Sequence, residues 1–204
     1  MTQEAMPATT DTGHTGDVHH YDPIGAKVGM WLFLFTEVLL FGTLFIVYAV
    51  YLTTYRYEFR IVSGHLDKII GATNTLVLLT SSLTMALSIA ALERGRKSQA
   101  LGFMAVTVLL SVVFLGFKAA EWGEKFAHDL YPKSETMLLL PFGEQVFYGL
   151  YFTMTGLHAV HVIIGAGAIL AAMGLVAKGK THKDRMAFIE NTGLYWHLVD
   201  VVWI

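Results

Sequence analysis

The sequence predicts an all-α integral membrane protein, a bundle of five transmembrane helices with its N-terminus in the cytoplasm. Three observations carry that prediction. Of the 204 residues, 54% are hydrophobic and only 15% charged, too few charges to cover a soluble domain of this size. Apolar runs long enough to cross a bilayer recur along the chain. Lys and Arg crowd the short connections on one side of those runs. The runs are continuously apolar rather than alternating, so they read as helices and not as strands of a barrel.

Residues 1–25 form a polar tail with no early apolar run, which is not the pattern of a secretory signal. Residues 26–204 form one transmembrane domain without internal repeat. The first span is placed at 26–50, in an apolar stretch broken by a single charge, Glu37. The second, 69–92, lies between Lys68 and Glu93. The third, 98–118, starts after Lys97 and reaches Lys118. The fourth, 145–177, is the longest and is interrupted only by His158 and His161. The fifth, 186–204, carries Glu190, His197 and Asp200. At about 28 Å if helical throughout it barely spans. It stops at Trp203-Ile204 without a polar tail, and the expectation is that the helix continues. A re-entrant or interfacial segment is the alternative.

Orientation follows from the basic residues. Lys27, the loop 93–98 and the loop 178–185 put eight Lys and Arg on the N-terminal side, against six on longer, mixed-charge stretches opposite. That places the N-terminus inside. Trp31, Tyr48, Tyr51, Tyr55, Trp122 and Tyr131 lie near span ends, as an aromatic belt does. A net charge of −2 gives no footing for nucleic acid. With no cysteine, disulfides, thiolate metal sites and iron–sulfur clusters cannot form within the chain.

Charged and polar groups inside spans are costly and turn toward protein or water. Here they have helical spacing. Glu190, Gly193, Leu194, His197 and Asp200 share a face of the fifth span. His158, His161 and Gly165 share a face of the fourth, and Asn74, Ser81 and Ser88 recur every seven residues in the second. These stripes are expected to pack inward. Glu37, alone in its span, must be paired, hydrated or protonated. It reads either as a proton-relay carboxylate or, preferably, as a structural group bonded to a neighbouring helix or a lipid headgroup. His158 and His161 permit a metal site, and His158 with His197 a bis-histidine haem. The plainer reading is hydrogen bonding at a helix interface. His14, His19 and His20 read as part of a solvated tail, and Glu121, Glu124 and Lys125 as a solvated helix end.

Specific strings then carry a resemblance. Thr155-Gly156-Leu157-His158-Ala159-Val160-His161-Val162-Ile163-Ile164-Gly165 resembles the TGxHxxHVxxG signature of haem–copper oxidase subunit III. Glu190-Asn191 and Tyr195-Trp196-His197-Leu198-Val199-Asp200-Val201-Val202-Trp203-Ile204 resemble its last-helix motif, and Thr36-Glu37-Val38-Leu39-Leu40-Phe41 its first intramembrane motif. Asn74-Thr75, Ser81-Ser82 and Glu121-Trp122 match weaker positions. Together these cover residues 28–204. The chain resembles the short, five-helix bacterial form, which lacks the first two helices of the long form. It departs from the family in its early stop.

The resemblance implies a non-catalytic subunit of a terminal oxidase in the bacterial inner membrane. That complex takes electrons from cytochrome c to oxygen and pumps protons. Haem and copper are then held by subunits I and II, and no metal, cofactor or catalytic residue belongs to this chain. It is expected to pack beside subunit I, bind phospholipid and support proton uptake and durable turnover. Glu37, Glu121, His158, His161, Glu190, His197 and Asp200 are the intramembrane polar or lipid-associated set. Thr36-Glu37-Val38 looks like the cytochrome c branch. The His-rich tail is reminiscent of quinol oxidases, and a nitric oxide reductase accessory protein is a further alternative. More distant are a small b-type cytochrome and a transporter.

Overall fold

The computed structural model describes residues 23–64, 67–132, 134–178 and 183–204. The tail histidines His14, His19 and His20 lie outside these. Among the described residues seven helices follow one another: α1 (Pro23–Thr54), α2 (Arg56–Gly64), α3 (Lys68–Glu93), α4 (Lys97–Ala127), α5 (Glu135–Leu138), α6 (Phe142–Ala177) and α7 (Lys183–Trp203). Four of them, α1, α3, α4 and α6, are long and apolar enough to cross a membrane. These are the first four expected spans, each extended at one or both ends.

The expected fifth span is α7, and here the count of five is not met on apolarity. At 21 residues the helix is about 31 Å long, but Glu190, His197 and Asp200 keep it below the apolarity of the other four. Its neighbours cover one side of it. α7 packs on α6, α3 and α1, and Ile189, Trp196 and Asp200 are at most 1% exposed.

α3 and α4 form a tight antiparallel hairpin. Arg94 caps α3, and Gly95, at φ +72°, supplies the left-handed residue of the turn. Thr84 and Thr107 join hydroxyls across the pair at 2.7 Å. α6 packs on α4, α7, α1 and α2. The main core is Leu78, Met85, Met104, Phe114, Val162, Ile169, Ile189 and Trp196, drawn from α3, α4, α6 and α7. Asn74, Ser81 and Ser88 are fully buried, as their seven-residue spacing required.

α2 and α5 are absent from the sequence reading, which treats their residues as loop. α2 is short and carries Arg56, Glu58 and Arg60, but Phe59 and Val62 are buried on one side of it. They join Met137, Phe147 and Tyr148 in a second apolar cluster. Tyr48 and Tyr55, expected as belt residues, pack against it: Tyr48 meets Phe59 at 5.4 Å, and Phe59 meets Phe147 edge-on at 5.2 Å. Ser134 caps α5 through its hydroxyl, which accepts from Met137 N at 3.2 Å.

Gly165 is where α7 comes closest to α6. A Cβ there would stand 2.8 Å from Cε3 of Trp196 and 3.2 Å from the Tyr195 ring. Gly165→Ala should therefore cost about 1–3 kcal/mol through overpacking, read as a lower thermal midpoint of the assembled protein. Gly167→Ala, which meets nothing within 4 Å, should leave that midpoint unchanged.

Candidate functional site

The seven singled-out side chains do not converge on one centre. Six of them distribute over three junctions between helices, and His158 stands apart. The first joins α1 to α6. Glu37 Oε2 lies 2.8 Å from His161 Nε2, with the two side chains only 12% and 11% exposed. His161 Nδ1 stands 2.7 Å from the Leu157 carbonyl. A carbonyl can only accept, so Nδ1 carries a proton and donates it. Nε2 then either accepts the carboxyl proton of Glu37 or, as imidazolium, donates to the carboxylate. In both forms one proton occupies the gap and the pair is neutral overall, which makes it tolerable in hydrocarbon. Phe41 meets the imidazole edge-on at 5.1 Å, and Tyr195 donates its hydroxyl proton to the His161 carbonyl at 3.2 Å.

The second junction joins α7 to α3 and, at its start, to α1. Trp196 Nε1 donates to Ser81 Oγ at 3.0 Å, and His197 Nδ1 pairs with Ser82 Oγ at 2.7 Å. Asp200 is 1% exposed. Neither of its oxygens has a hydrogen bond of normal geometry to a described residue, although Ser82 stands close by. Glu190 is only half-buried and pairs with Lys27 of α1 at 3.2 Å, while Asn191 donates to the Ala26 carbonyl at 3.4 Å.

The third junction corrects the sequence reading of Glu121 and Lys125 as a solvated helix end. Lys118, taken there as a span boundary, is 7% exposed. Its Nζ binds Glu121 Oε2 at 2.8 Å, and Lys125 Nζ lies 3.9 Å from Oε1. Tyr151 of α6 donates to Glu121 Oε1 at 2.5 Å. Trp203 of α7 covers the Lys118 ammonium at 4.8 Å from the ring centre, a cation–π contact. Only Glu124 is exposed as expected. The sequence does hold the signal: Lys118, Glu121 and Lys125 follow one another at steps of three and four, the spacing of a paired helix face.

His158 and His161 share a helix face but turn to different neighbours. His158 rests between Phe114 and Trp203, with ring centres at 5.5 and 5.1 Å. Neither of its nitrogens has a partner among the described residues. It borders a cavity of about 130 Å³ lined also by Phe41, Phe45, Met154, Thr155, Val202 and Trp203. The expected hydrogen bonding therefore holds for His161 and not for His158. His197 is turned to Ser82 rather than toward His158. Among the described residues no three His, Asp or Glu side chains gather as a metal-ligand group.

These junctions fasten helices through buried proton-bearing pairs. Glu121→Leu should strand the buried Lys118 and cost about 3–5 kcal/mol, whereas the double change Lys118→Met with Glu121→Leu should cost clearly less. Thermal denaturation of both variants in detergent checks the order, and equal losses would contradict a buried pair.

The sequence matches the family described as cytochrome c oxidase subunit III over residues 4–204. It is 31% identical to the cytochrome bo(3) ubiquinol oxidase subunit 3 of Pseudomonas aeruginosa, covering 95% of this chain and 88% of that one. It is 30% identical to a probable quinol oxidase subunit 3 of Staphylococcus haemolyticus, over 87% of this chain and 84% of the relative. The cytochrome c oxidase subunit 3 of Prototheca wickerhamii is 29% identical, over 91% and 69% respectively.

Proposed function

This chain belongs to the cytochrome c oxidase subunit III family and is a multi-pass inner-membrane subunit of a haem–copper oxidase, and on that premise we propose how it serves the complex. It is an accessory subunit that packs beside subunit I and near subunit II, with the haems and copper held by those partners. Its own ionisable groups fasten helices to one another and hold phospholipid against the bundle. In that way it supports proton uptake and keeps turnover durable. The observation that carries this reading is the Glu37–His161 bond. The carboxyl that most resembles a relay group is committed to an imidazole on α6. The N-terminus faces the cytoplasm on the count of basic residues.

The donor we propose is cytochrome c, on the Thr36-Glu37-Val38 motif. A second reading, quinol, is favoured by the names of the two bacterial relatives above. Purifying the native complex decides between them. Co-purification with a large haem-bearing subunit and rapid oxidation of reduced cytochrome c are expected. Turnover on quinol but not on cytochrome c would establish the second reading, and recovery of the chain alone would contradict both.

Glu37→Gln tests the structural role. The amide N–H can still donate to Nε2 of a neutral His161, so the α1–α6 tie persists without a transferable proton. Initial oxygen consumption should survive, with faster inactivation during turnover or altered phospholipid retention. Immediate and complete loss of electron transfer would contradict the proposal.

A further inference from the structure

α2 displays two guanidinium groups that nothing in the described chain neutralises. Arg56 and Arg60 are exposed, one turn apart on the same face, with Ser63 a turn beyond. Neither arginine makes an ion pair or side-chain hydrogen bond with a described residue. The carboxylate nearest in sequence, Glu58, backs onto α6: its Cβ lies 3.0 Å from where a Cβ on Gly143 would be. The helix is fixed in this attitude because Phe59 and Val62, 1% and 2% exposed, are sunk in the second apolar cluster.

The arginine face borders a groove of about 410 Å³ lined by Tyr48, Leu52, Arg56, Phe59, Arg60 and Ser63. Its two sides differ in chemistry. α2 supplies the cationic rim and a hydroxyl. α1 supplies an apolar wall, and the stripe Leu52, Tyr48, Phe45 continues down that helix with Leu52 and Phe45 exposed. A cationic rim above an exposed apolar helix face matches an amphiphile with an anionic head. The planar guanidinium fork pairs bidentately with phosphate oxygens, and phosphate is the anion common to the phospholipids of a membrane surface. A free phosphate would satisfy the rim but leave the apolar wall uncovered.

We propose that this groove binds the phosphate of an anionic phospholipid, with Arg56 and Arg60 on the head and an acyl chain along Leu52, Tyr48 and Phe45. The proposal rests on the reading above that the subunit retains phospholipid, and it names one site and one headgroup charge. Basic side chains at an anionic surface gain affinity from each charge they neutralise, and the amphipathic placement of α2 at the end of α1 is that of an interfacial helix.

The test uses the native oxidase complex in nanodiscs of phosphatidylcholine alone or with phosphatidylglycerol. Phenylglyoxal modification of each arginine is followed by peptide mass spectrometry. Phosphatidylglycerol should slow the labelling of Arg56 and Arg60 by roughly fivefold or more, well beyond its effect on Arg94 and Arg96 in the α3–α4 turn. Equal rates in the two lipids overturn the site. Uniformly low rates in both lipids would mean that another subunit covers the arginines, and would overturn the site as well. Equal protection by inorganic phosphate in phosphatidylcholine nanodiscs would reassign the groove to a soluble anion and overturn the lipid. Native mass spectrometry adds an independent count: R56Q/R60Q should lose one retained phosphatidylglycerol per complex and no phosphatidylcholine. A wild-type complex that retains phospholipid but labels equally in both lipids sinks only this site. One that retains no phospholipid sinks the broader reading as well.

Discussion

A single buried bond, from Glu37 to His161, holds the most weakly embedded helix to the bundle. α1 is the least covered of the four apolar spans: 11% of its most apolar window is buried, against 28–39% for the others. Its neighbours are α2, α6 and α7, and in a bilayer apolar contact alone gives little preference for protein over lipid. A hydrogen bond between two groups that hydrocarbon cannot solvate supplies that preference. The pair at Lys27 and Glu190 adds a second tie near the start of α1, but it is more exposed, at 57% and 34%, and correspondingly weaker. Glu37 thus does for α1 what Trp196 and His197 do for α7: each anchors one helix to another through a bond whose loss would leave a polar group in hydrocarbon.

The same constraint explains what could be read from the sequence. A charge within an apolar run must have a partner, so Glu37, His161, His197 and the Asn74-Ser81-Ser88 stripe could be assigned to helix contacts before any partner was known. The partners themselves could not. His161 lies 124 residues from Glu37 and His197 lies 115 from Ser82, and spacing along one helix carries no information about the other. Lys118 was misread because a lysine that ends a span and a lysine buried under Trp203 look alike in one dimension. α2 was missed because its arginines resemble loop charges, and its amphipathic pattern is only two turns long. The fifth span is the converse case. Its motif was legible, but its apolarity is insufficient by itself, because α3 and α6 supply much of the surroundings that lipid supplies elsewhere.

Family membership makes the chain one subunit of a larger oxidase, and the geometry adds which of its surfaces and buried groups lack partners within the chain. The polar groups of the interior are largely consumed in joining helices, while large apolar side chains such as Trp31, Phe35, Leu39 and Ile46 remain exposed along α1. Those side chains have only lipid or a neighbouring subunit to meet. His158 and Asp200 stand apart as buried groups without hydrogen-bond partners among the described residues, close to the Trp203 ring and the end of α7. They mark the region where the interior is least satisfied by its own side chains.

The turn at Gly95 also bears on biogenesis. With so few residues between them, α3 and α4 form a unit that can insert as one hairpin, and Thr84 and Thr107 satisfy each other within it. Ser81 and Ser82 on the same hairpin then present ready-made partners for Trp196 and His197. α7, less apolar than the four spans, meets these partners on a hairpin encoded before it. The order of codons along the message thereby becomes an order of assembly, in which α7, less apolar than the four spans before it, follows the helices that receive it.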